Sequence, residues 1–247
     1  MNERRIDVQT PDGVMDVYLF APHEGGGPWP LVVFYMDAFG IRPALAGMAD
    51  RLASHGFVVA LPNLYYRSGG YEPFDPKKVA EGGAERDRFK GMIASISDTL
   101  VMRDTAALMG QLRGVPDVRD GAMGAVGYCM GGGFALSAAG TFHDRVAAAA
   151  SFHGGSLATA RPDSAHLLAP RMRARVYVGV AELDQSFDDA QRERLETALL
   201  EAGVDYQLDV YAGAKHGFAV TGHLVYDQAA SERHWERLVE LLREHLT

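Results

Sequence analysis

A glycine-rich turn near the middle of the chain constrains the fold most strongly. It lies within Ala122–Gly140, where a short apolar run ends at Val126 and a helical pattern begins near Phe134. An apolar run, a tight turn and a helical pattern, in that order, are typical of a buried strand that leads directly into a helix. The segment therefore predicts one strand–turn–helix unit of an α/β protein.

The same turn holds the single cysteine of the sequence. Gly127 and Gly131 flank Cys129 with the spacing of the G-x-S-x-G nucleophile elbow, with cysteine in the serine position. At the N-terminus of a helix, unpaired N–H groups and the positive end of the dipole favour the reactive thiolate. The pattern predicts a nucleophile. Two alternatives remain: a small core residue, or a glycine turn that binds a nucleotide or permits close packing.

Composition narrows the class of protein. A chain of 247 residues with 47% hydrophobic and 23% charged residues is ordinary for a globular protein, and we expect a single domain over 1–247. The net charge of −8 argues against nucleic acid and membrane surfaces as partners. One cysteine cannot form an internal disulfide, and the first residues lack the apolar segment of a signal peptide, so the expected location is cytoplasmic.

Strand and helix patterns alternate along the chain. Alternating residues on both sides of Pro11–Gly13 predict an antiparallel hairpin. Leu31–Met36 and Phe57–Leu61 are apolar throughout, as in strands covered on both faces, and Pro43–His55 between them is helical. The later predicted elements are helices Ser97–Leu112, Asp188–Ala202 and Tyr226–His245 and strands Val146–Phe152, Arg175–Val180 and Tyr206–Tyr211. We expect an α/β fold: a mostly parallel, doubly wound sheet with helices on both faces and the hairpin at its edge.

Two segments have no clear pattern. Pro62–Gly91 is irregular up to a charged helical piece with Arg86, Arg88 and Lys90. The segment is long enough to form a lid or a pocket wall, the alternative being a mobile solvated loop. Gly213–Gly222 is predicted as a loop bracketed by glycines.

Candidate partners of Cys129 follow two later strands. A cysteine nucleophile needs a base and a carboxylate that orients the base, and sites in open α/β sheets lie at the carboxyl ends of strands. Asp184 comes after Arg175–Val180, and His216 comes after Tyr206–Tyr211. The order cysteine, aspartate, histidine is that of the α/β-hydrolases, so these three residues are the predicted triad.

Each assignment has an alternative. Asp184 could cap the following helix, although Asp188 is better placed to do so. His153 also follows a strand, but its position gives the wrong chain order, which favours a pocket wall or a structural role. The histidines on or near helices are expected to be solvated; they are His55, His143, His234 and His245.

The oxyanion of an acyl-transfer reaction needs two donors. The backbone N–H of Met130, directly after the nucleophile, is one candidate, and Ala38, after the Leu31–Met36 strand, supplies the other. No H-x-x-x-H pair or HExxH motif occurs, so no metal is expected.

Several motifs together resemble the dienelactone hydrolases. They are GYCMGG at Gly127–Gly132, MDAFG at Met36–Gly40, LPNLYYR at Leu61–Arg67, Asp184, and KHGF at Lys215–Phe218. The resemblance implies an α/β-hydrolase fold without a large cap, a Cys-Asp-His triad, and hydrolysis of a lactone or ester without a cofactor.

The resemblance also implies roles for residues around the nucleophile. The family's glutamate that takes part in activating the cysteine corresponds to Asp37, and an arginine that holds the substrate carboxylate corresponds to Val220. Arg88 best fits a second family arginine. The residues expected to activate the nucleophile or line the pocket are Asp37, Tyr65, Arg67, Arg88 and His153.

An aliphatic side chain cannot replace a guanidinium that binds a carboxylate. We therefore expect a small-molecule substrate less anionic than dienelactone: an ester, lactone or thioester. The main alternative is a redox-sensing or ligand-binding protein on the same fold, in which activated Cys129 performs no hydrolysis. An enzyme for peptides or other acyl chains is a further alternative, and we expect a monomer or weak homodimer.

Overall fold

The computed structural model describes residues 3–23 and 26–247, and strands and helices alternate along them. The strands are β1 (Glu3–Thr10), β2 (Gly13–Phe20), β3 (Leu31–Tyr35), β4 (Val58–Pro62), β5 (Met123–Tyr128), β6 (Val146–Phe152), β7 (Arg175–Leu183) and β8 (Tyr206–Lys215). The helices are α1 (Pro43–Ala53), α2 (Pro76–Glu81), α3 (Gly83–Ala94), α4 (Asp98–Leu112), α5 (Met130–Thr141), α6 (Asp189–Glu201) and α7 (Gln228–Leu246). Among these described helices, none is long and apolar enough to cross a membrane.

The eight described strands form one sheet in the order β1-β2-β4-β3-β5-β6-β7-β8. Strand β1 pairs with β2, and β2 with β4, in antiparallel fashion, while all later pairs are parallel. Helices α4 and α5 pack together on one face, and α1 and α7, joined by the Arg51–Glu232 ion pair, cover the other. The predicted parallel sheet with helices on both faces and an N-terminal hairpin is confirmed.

The central strands are buried because helices cover both faces of the sheet. Every residue of β3 and β5 is buried. The ring of Tyr128 stacks between Phe34 and Phe152, with centroid distances of 5.0 and 5.6 Å, and its hydroxyl lies 3.0 Å from Nε2 of His234. The prediction that His234 is solvated is therefore wrong, because this side chain belongs to the buried face of α7. The other three helix-associated histidines are partly exposed: His55, His143 and His245.

Two segments differ from the sequence prediction. Strand β8 continues to Lys215, which pairs with Leu183 after a register shift, so the segment Gly213–Gly222 begins inside a strand. Gly213 adopts a φ of 71°, a conformation that glycine also adopts in loops. A glycine at this position therefore looks like a loop boundary in the sequence. In Pro62–Gly91, the expected charged helical piece is part of α3, and α2 is a further helix that the sequence pattern did not indicate.

Candidate active site

The turn between β5 and α5 holds Cys129 in a strained conformation. Its φ and ψ are 55° and −122°, in a region that side chains other than glycine rarely adopt. A Cβ atom at Gly127 would collide with the backbone of Gly131, and one at Gly131 would collide with the carbonyl of Tyr35. The two glycines are required because the turn brings three backbone segments together, and this packing presents Cys129 at the N-terminus of α5.

His216 and Asp184 lie at the ends of β8 and β7. Nδ1 of His216 is 2.6 Å from Oδ2 of Asp184, a carboxylate with 2% of its side chain exposed. A carboxylate only accepts hydrogen bonds, so the contact needs the proton on Nδ1 and leaves Nε2 of the ring for another partner. Cys129 lines the same cavity as His216 and is close enough to raise the pKa of the ring.

Ser186 completes this group, and the sequence did not indicate it. Its hydroxyl donates to Oδ1 of Asp184 at 2.6 Å and lies 3.0 Å from Nδ1 of His216, while its backbone N–H donates to the same Oδ1 at 2.8 Å. An aspartate followed two positions later by serine has the pattern of an Asx turn, which is the signal that could have found it.

Charge pairing shifts the pKa values of both ionisable partners. Burial lowers the pKa of His216, but the negative charges of Cys129 and Asp184 and their hydrogen bonds outweigh it and raise the pKa to about 10. Burial raises the pKa of Asp184, but hydrogen bonds from His216 and Ser186 bring it below its ordinary value. Asp184 and the neighbouring Cys129 therefore both favour the protonated form of His216.

The loop after β3 lies beside the N-terminus of α5. Ala38 and Met130 both line the same cavity as Cys129. The peptide that follows Ala38 is held from two sides, because the Tyr65 hydroxyl donates to the Ala38 carbonyl at 2.9 Å and the Phe39 N–H donates to Oδ1 of Asp37 at 3.0 Å. Tyr65 thus contacts the predicted oxyanion loop.

Asp37 is fully buried, and its hydrogen bonds within the described residues go to Phe39, Arg42 and His223. Arg42 donates to both of its oxygens, at 2.6 and 2.7 Å, and Nε2 of His223 lies 3.4 Å from Oδ2. Burial raises the pKa of Asp37, but the hydrogen bonds and positive charge of these partners bring it below its ordinary value. Asp37 is not among the residues that line the cavity.

A cavity of about 480 Å³ adjoins Cys129 and His216. Its apolar lining consists of Ala38, Phe39, Phe89, Ile93, Ile96, Met130, Phe134 and Ala165. Its polar lining, besides Cys129 and His216, consists of Ser97, Asp98, Ser156, Thr159, Arg161, Asp163, Ser164 and Ser186. Phe89 belongs to Pro62–Gly91, so the segment predicted as a lid or pocket wall supplies one residue of this wall, and Ile93 and Ile96 follow it in the chain.

The model of the dienelactone hydrolase family matches residues 15–246. The chain belongs to this family. A relative from Synechocystis, named "Putative carboxymethylenebutenolidase", is 25% identical over 89% of this chain and 88% of its own length.

Solved structures show the same family fold. The structure titled "Putative Dienelactone Hydrolase" from Klebsiella pneumoniae has a TM-score of 0.86 at 20% identity and covers 98% of both chains. A dienelactone hydrolase-like promiscuous phosphotriesterase from metagenomic libraries has a TM-score of 0.77 at 24% identity, covering 99% of this chain and 98% of its own.

Two arginines predicted for the pocket of this family member are engaged elsewhere. Arg67 donates to Asp104 at 2.8 and 2.7 Å and to Asp12 at 2.7 Å. Arg88 pairs with Glu85 and lies over the ring of Phe74 at 3.9 Å. Neither guanidinium is among the cavity-lining groups.

His153 lies behind His216 rather than in the cavity lining. Its ring is 5.3 Å from the rings of His216 and Phe218, and neither of its ring nitrogens has a hydrogen-bond partner among the described residues. Burial and the neighbouring His216 hold the pKa of His153 well below its usual range. A neutral imidazole packed against His216 agrees with the predicted structural role. Val220 is fully buried and does not line the cavity.

Proposed function

We propose that this dienelactone hydrolase family member is a carboxylic-ester hydrolase with Cys129, His216 and Asp184 as its catalytic triad. The observation that carries the proposal is the 2.6 Å contact between His216 and Asp184 beside Cys129, in a cavity wide enough for a small molecule. A nucleophile, a base and a carboxylate in this arrangement are the requirement of acyl transfer.

In the first half-reaction, Sγ of Cys129 attacks the substrate carbonyl carbon. The carbonyl oxygen becomes an oxyanion, which accepts hydrogen bonds from the backbone N–H groups of Met130 and Ala38. Collapse of this intermediate breaks the bond to the alcohol oxygen, and His216 donates its Nε2 proton to that oxygen as it leaves. The product of this step is a thioester between the acyl group and Cys129.

Acylation itself prepares His216 for the second half-reaction. His216 has given its Nε2 proton to the leaving alcohol, and thioester formation removes the charge on sulfur, which is one of the causes of the raised pKa of His216. His216 is then neutral and can take a proton from water as the water attacks the thioester. Asp184 holds the ring in one tautomer throughout both steps. No step requires a cofactor.

The substrate we propose carries less negative charge than dienelactone. The cavity lining contains one arginine, Arg161, and both hydrogen bonds of its guanidinium go to Asp163, at 3.0 and 2.8 Å. Val220 cannot supply a cation, and Arg88 is held by Glu85. A carboxylate in this cavity would lack a free guanidinium, so a neutral ester, lactone or thioester fits better.

The test compares wild type, Cys129→Ala and Cys129→Ser on short-chain p-nitrophenyl esters and on dienelactone. We expect wild type to hydrolyse at least one neutral ester and Cys129→Ala to lose roughly 1,000-fold or more of that rate. Alkylation of the cysteine by iodoacetamide serves as a control for an intact site. Rapid alkylation without turnover of any ester would favour the redox or ligand-binding alternative. Turnover of dienelactone with a Michaelis constant of about 1 mM or below would contradict the neutral substrate.

A further inference from the structure

The cavity is asymmetric in chemistry. Phe39, Phe89 and Ile93 form part of an apolar wall, whereas Asp98, Arg161 and Asp163 supply charge elsewhere in the lining. A carboxylate in a largely apolar cavity is costly unless a donor or a cation reaches it. The partners of these charged groups therefore indicate what the cavity can bind.

Arg161 does not form an ion pair with Asp98. Its guanidinium forms two hydrogen bonds to Asp163, and no Lys, Arg or His of the described residues forms an ion pair with Asp98. Burial raises the pKa of Asp98, and the charges of Asp163 and Arg161 act on that pKa in opposite directions. Asp98 is thus the acidic group of this lining that has no cation of its own.

Asp98 is held in place by a buried hydroxyl. Oγ of Ser137, a residue of α5 with no exposed surface, donates to Oδ1 of Asp98 at 2.6 Å. No hydrogen bond from the described residues reaches Oδ2 of Asp98. The fixed carboxylate therefore keeps one oxygen that a cavity ligand can use, and an oxygen of this kind accepts hydrogen bonds.

A purely structural role would also place an aspartate here, because Asp98 is the first residue of α4, where negative charge stabilises a helix. Asp189 provides the comparison, since it is the first residue of α6. Its side chain is 93% exposed and outside this cavity. A variant of Asp189 therefore reports the helix effect without any contact with the substrate.

We propose that Asp98 is a substrate-binding residue that accepts a hydrogen bond from a hydroxyl or ammonium group of the ester and disfavours a carboxylate. The inference rests on the proposed hydrolase function and narrows it to esters that carry a donor group away from the reacting carbonyl. The apolar wall contacts the intervening hydrocarbon, and Asp98 selects the group at its end.

The experiment uses two matched series of esters. One comprises p-nitrophenyl hexanoate and its ω-hydroxy, ω-amino and ω-carboxy derivatives, and the other carries the same groups on the alcohol side of hexyl acetate. In one series at least, we expect wild type to favour the hydroxyl and ammonium esters over the unsubstituted one by about tenfold in kcat/KM. The carboxylate ester should be about tenfold worse than the unsubstituted one.

Variants assign the preference to Asp98. Asp98→Asn should bring the ammonium-to-unsubstituted ratio close to one, Asp98→Glu should keep a preference for ammonium, and Asp189→Asn should leave the wild-type ratios unchanged. Ratios within one variant cancel a general loss of folded or active protein. Equal ratios in wild type and Asp98→Asn, or a wild-type preference for the carboxylate ester, would overturn the proposal.

A second readout separates this proposal from the hydrolase function. Hexylammonium should protect Cys129 from alkylation by iodoacetamide better than hexanoate does, and Asp98→Asn should remove the difference. Protection of this kind without ester turnover would support the binding site and contradict the proposed reaction. Ester turnover without dependence on Asp98 in either readout would contradict the binding site and leave the reaction intact.

Discussion

The protein contains two aspartate–histidine pairs at the same edge of its sheet, and they are built for different tasks. Asp184 and His216 follow β7 and β8, whereas Asp37 follows β3 and His223 lies in the segment after His216. Both carboxylates are buried, with side-chain exposures of 2% and 0%. Burial of the carboxylate therefore does not distinguish them.

The third member of each group makes the difference. Ser186 is neutral and leaves the charge of Asp184 to hold a protonated His216 at 2.6 Å. Arg42 is a cation that binds both oxygens of Asp37, and Nε2 of His223 lies 3.4 Å from Oδ2 of Asp37 and 3.1 Å from the Arg42 guanidinium. When the third partner is neutral, the charge of the carboxylate remains available to stabilise a protonated histidine. When the third partner is a cation, that charge is neutralised in an ion pair, and the carboxylate has a structural role.

The largest expected difference between the pairs is in turnover. Asp184→Asn should lower kcat for a neutral p-nitrophenyl ester by roughly 10,000-fold, because the amide no longer fixes the tautomer of His216 or stabilises its charge. Asp37→Asn should lower kcat by less than about tenfold, the effect of a slightly displaced oxyanion loop. Steady-state kinetics on the two purified variants measure both. Equal losses would mean that Asp37 takes part in catalysis, which is the role that the family resemblance implies for it.

Much of the Asp184 pair could be predicted from sequence, because parallel strands bring their carboxyl ends to one edge. Alternating strand and helix patterns gave the strand ends, and the chain order of Cys129, Asp184 and His216 gave the candidates. The Asp37 group could not be predicted in this way. Arg42 lies at the start of α1, and only the folded loop turns its side chain back to Asp37.

The positions of His234 and Phe89 could have been predicted from the helical spacing of their neighbours. Ser231, His234 and Leu238 recur at helical spacing along the buried face of α7, which places His234 in the core despite its polar ring. Phe89 and Ile93 are one turn apart on α3 and line the cavity, although the charged residues between them obscure the apolar face. Periodicity thus contained both positions, and the Glu85–Arg88 pair of α3 is also at helical spacing. The ion pairs of Arg67 with Asp12 and Asp104 depend instead on long-range contacts that periodicity does not encode.

Substitution of Asp37 should reduce the free energy of unfolding more than substitution of Asp184 does, which is the reverse of their expected effects on turnover. Asp37→Asn leaves the guanidinium of Arg42, 12% exposed, without its charged partner, and we expect a loss of about 3–5 kcal/mol in the free energy of unfolding. Asp184→Asn should cost less than about 2 kcal/mol, because no permanent cation remains unpaired. Denaturant unfolding measures both. The double variant Asp37→Asn/Arg42→Gln should recover part of the loss, since it removes both charges.

The pH dependence of this loss has a definite sign. The pKa of Asp37 in the folded protein lies below its ordinary value of 3.8, so its ionisation contributes stability above that value. The contribution disappears as the pH falls through the lower folded pKa. The stability difference between wild type and Asp37→Asn should therefore be constant at neutral pH and narrow in acid, at a pH below about 4. A difference that widens in acid would contradict the ion-pair explanation.

The smallest expected effect concerns the neutral third partner. Ser186→Ala removes the hydroxyl contacts to Asp184 and His216, but the backbone N–H of residue 186 still donates to Oδ1 of Asp184 at 2.8 Å. We therefore expect kcat to fall by about tenfold or less, with little change in KM, since the loss corresponds to one hydrogen bond. Ser156→Ala, which alters another serine of the cavity lining outside the triad contacts, is the matched comparison for changes in substrate binding. A loss as large as that of Asp184→Asn would mean that Asp184 does not orient His216 without the hydroxyl, and the triad would then have four members rather than three.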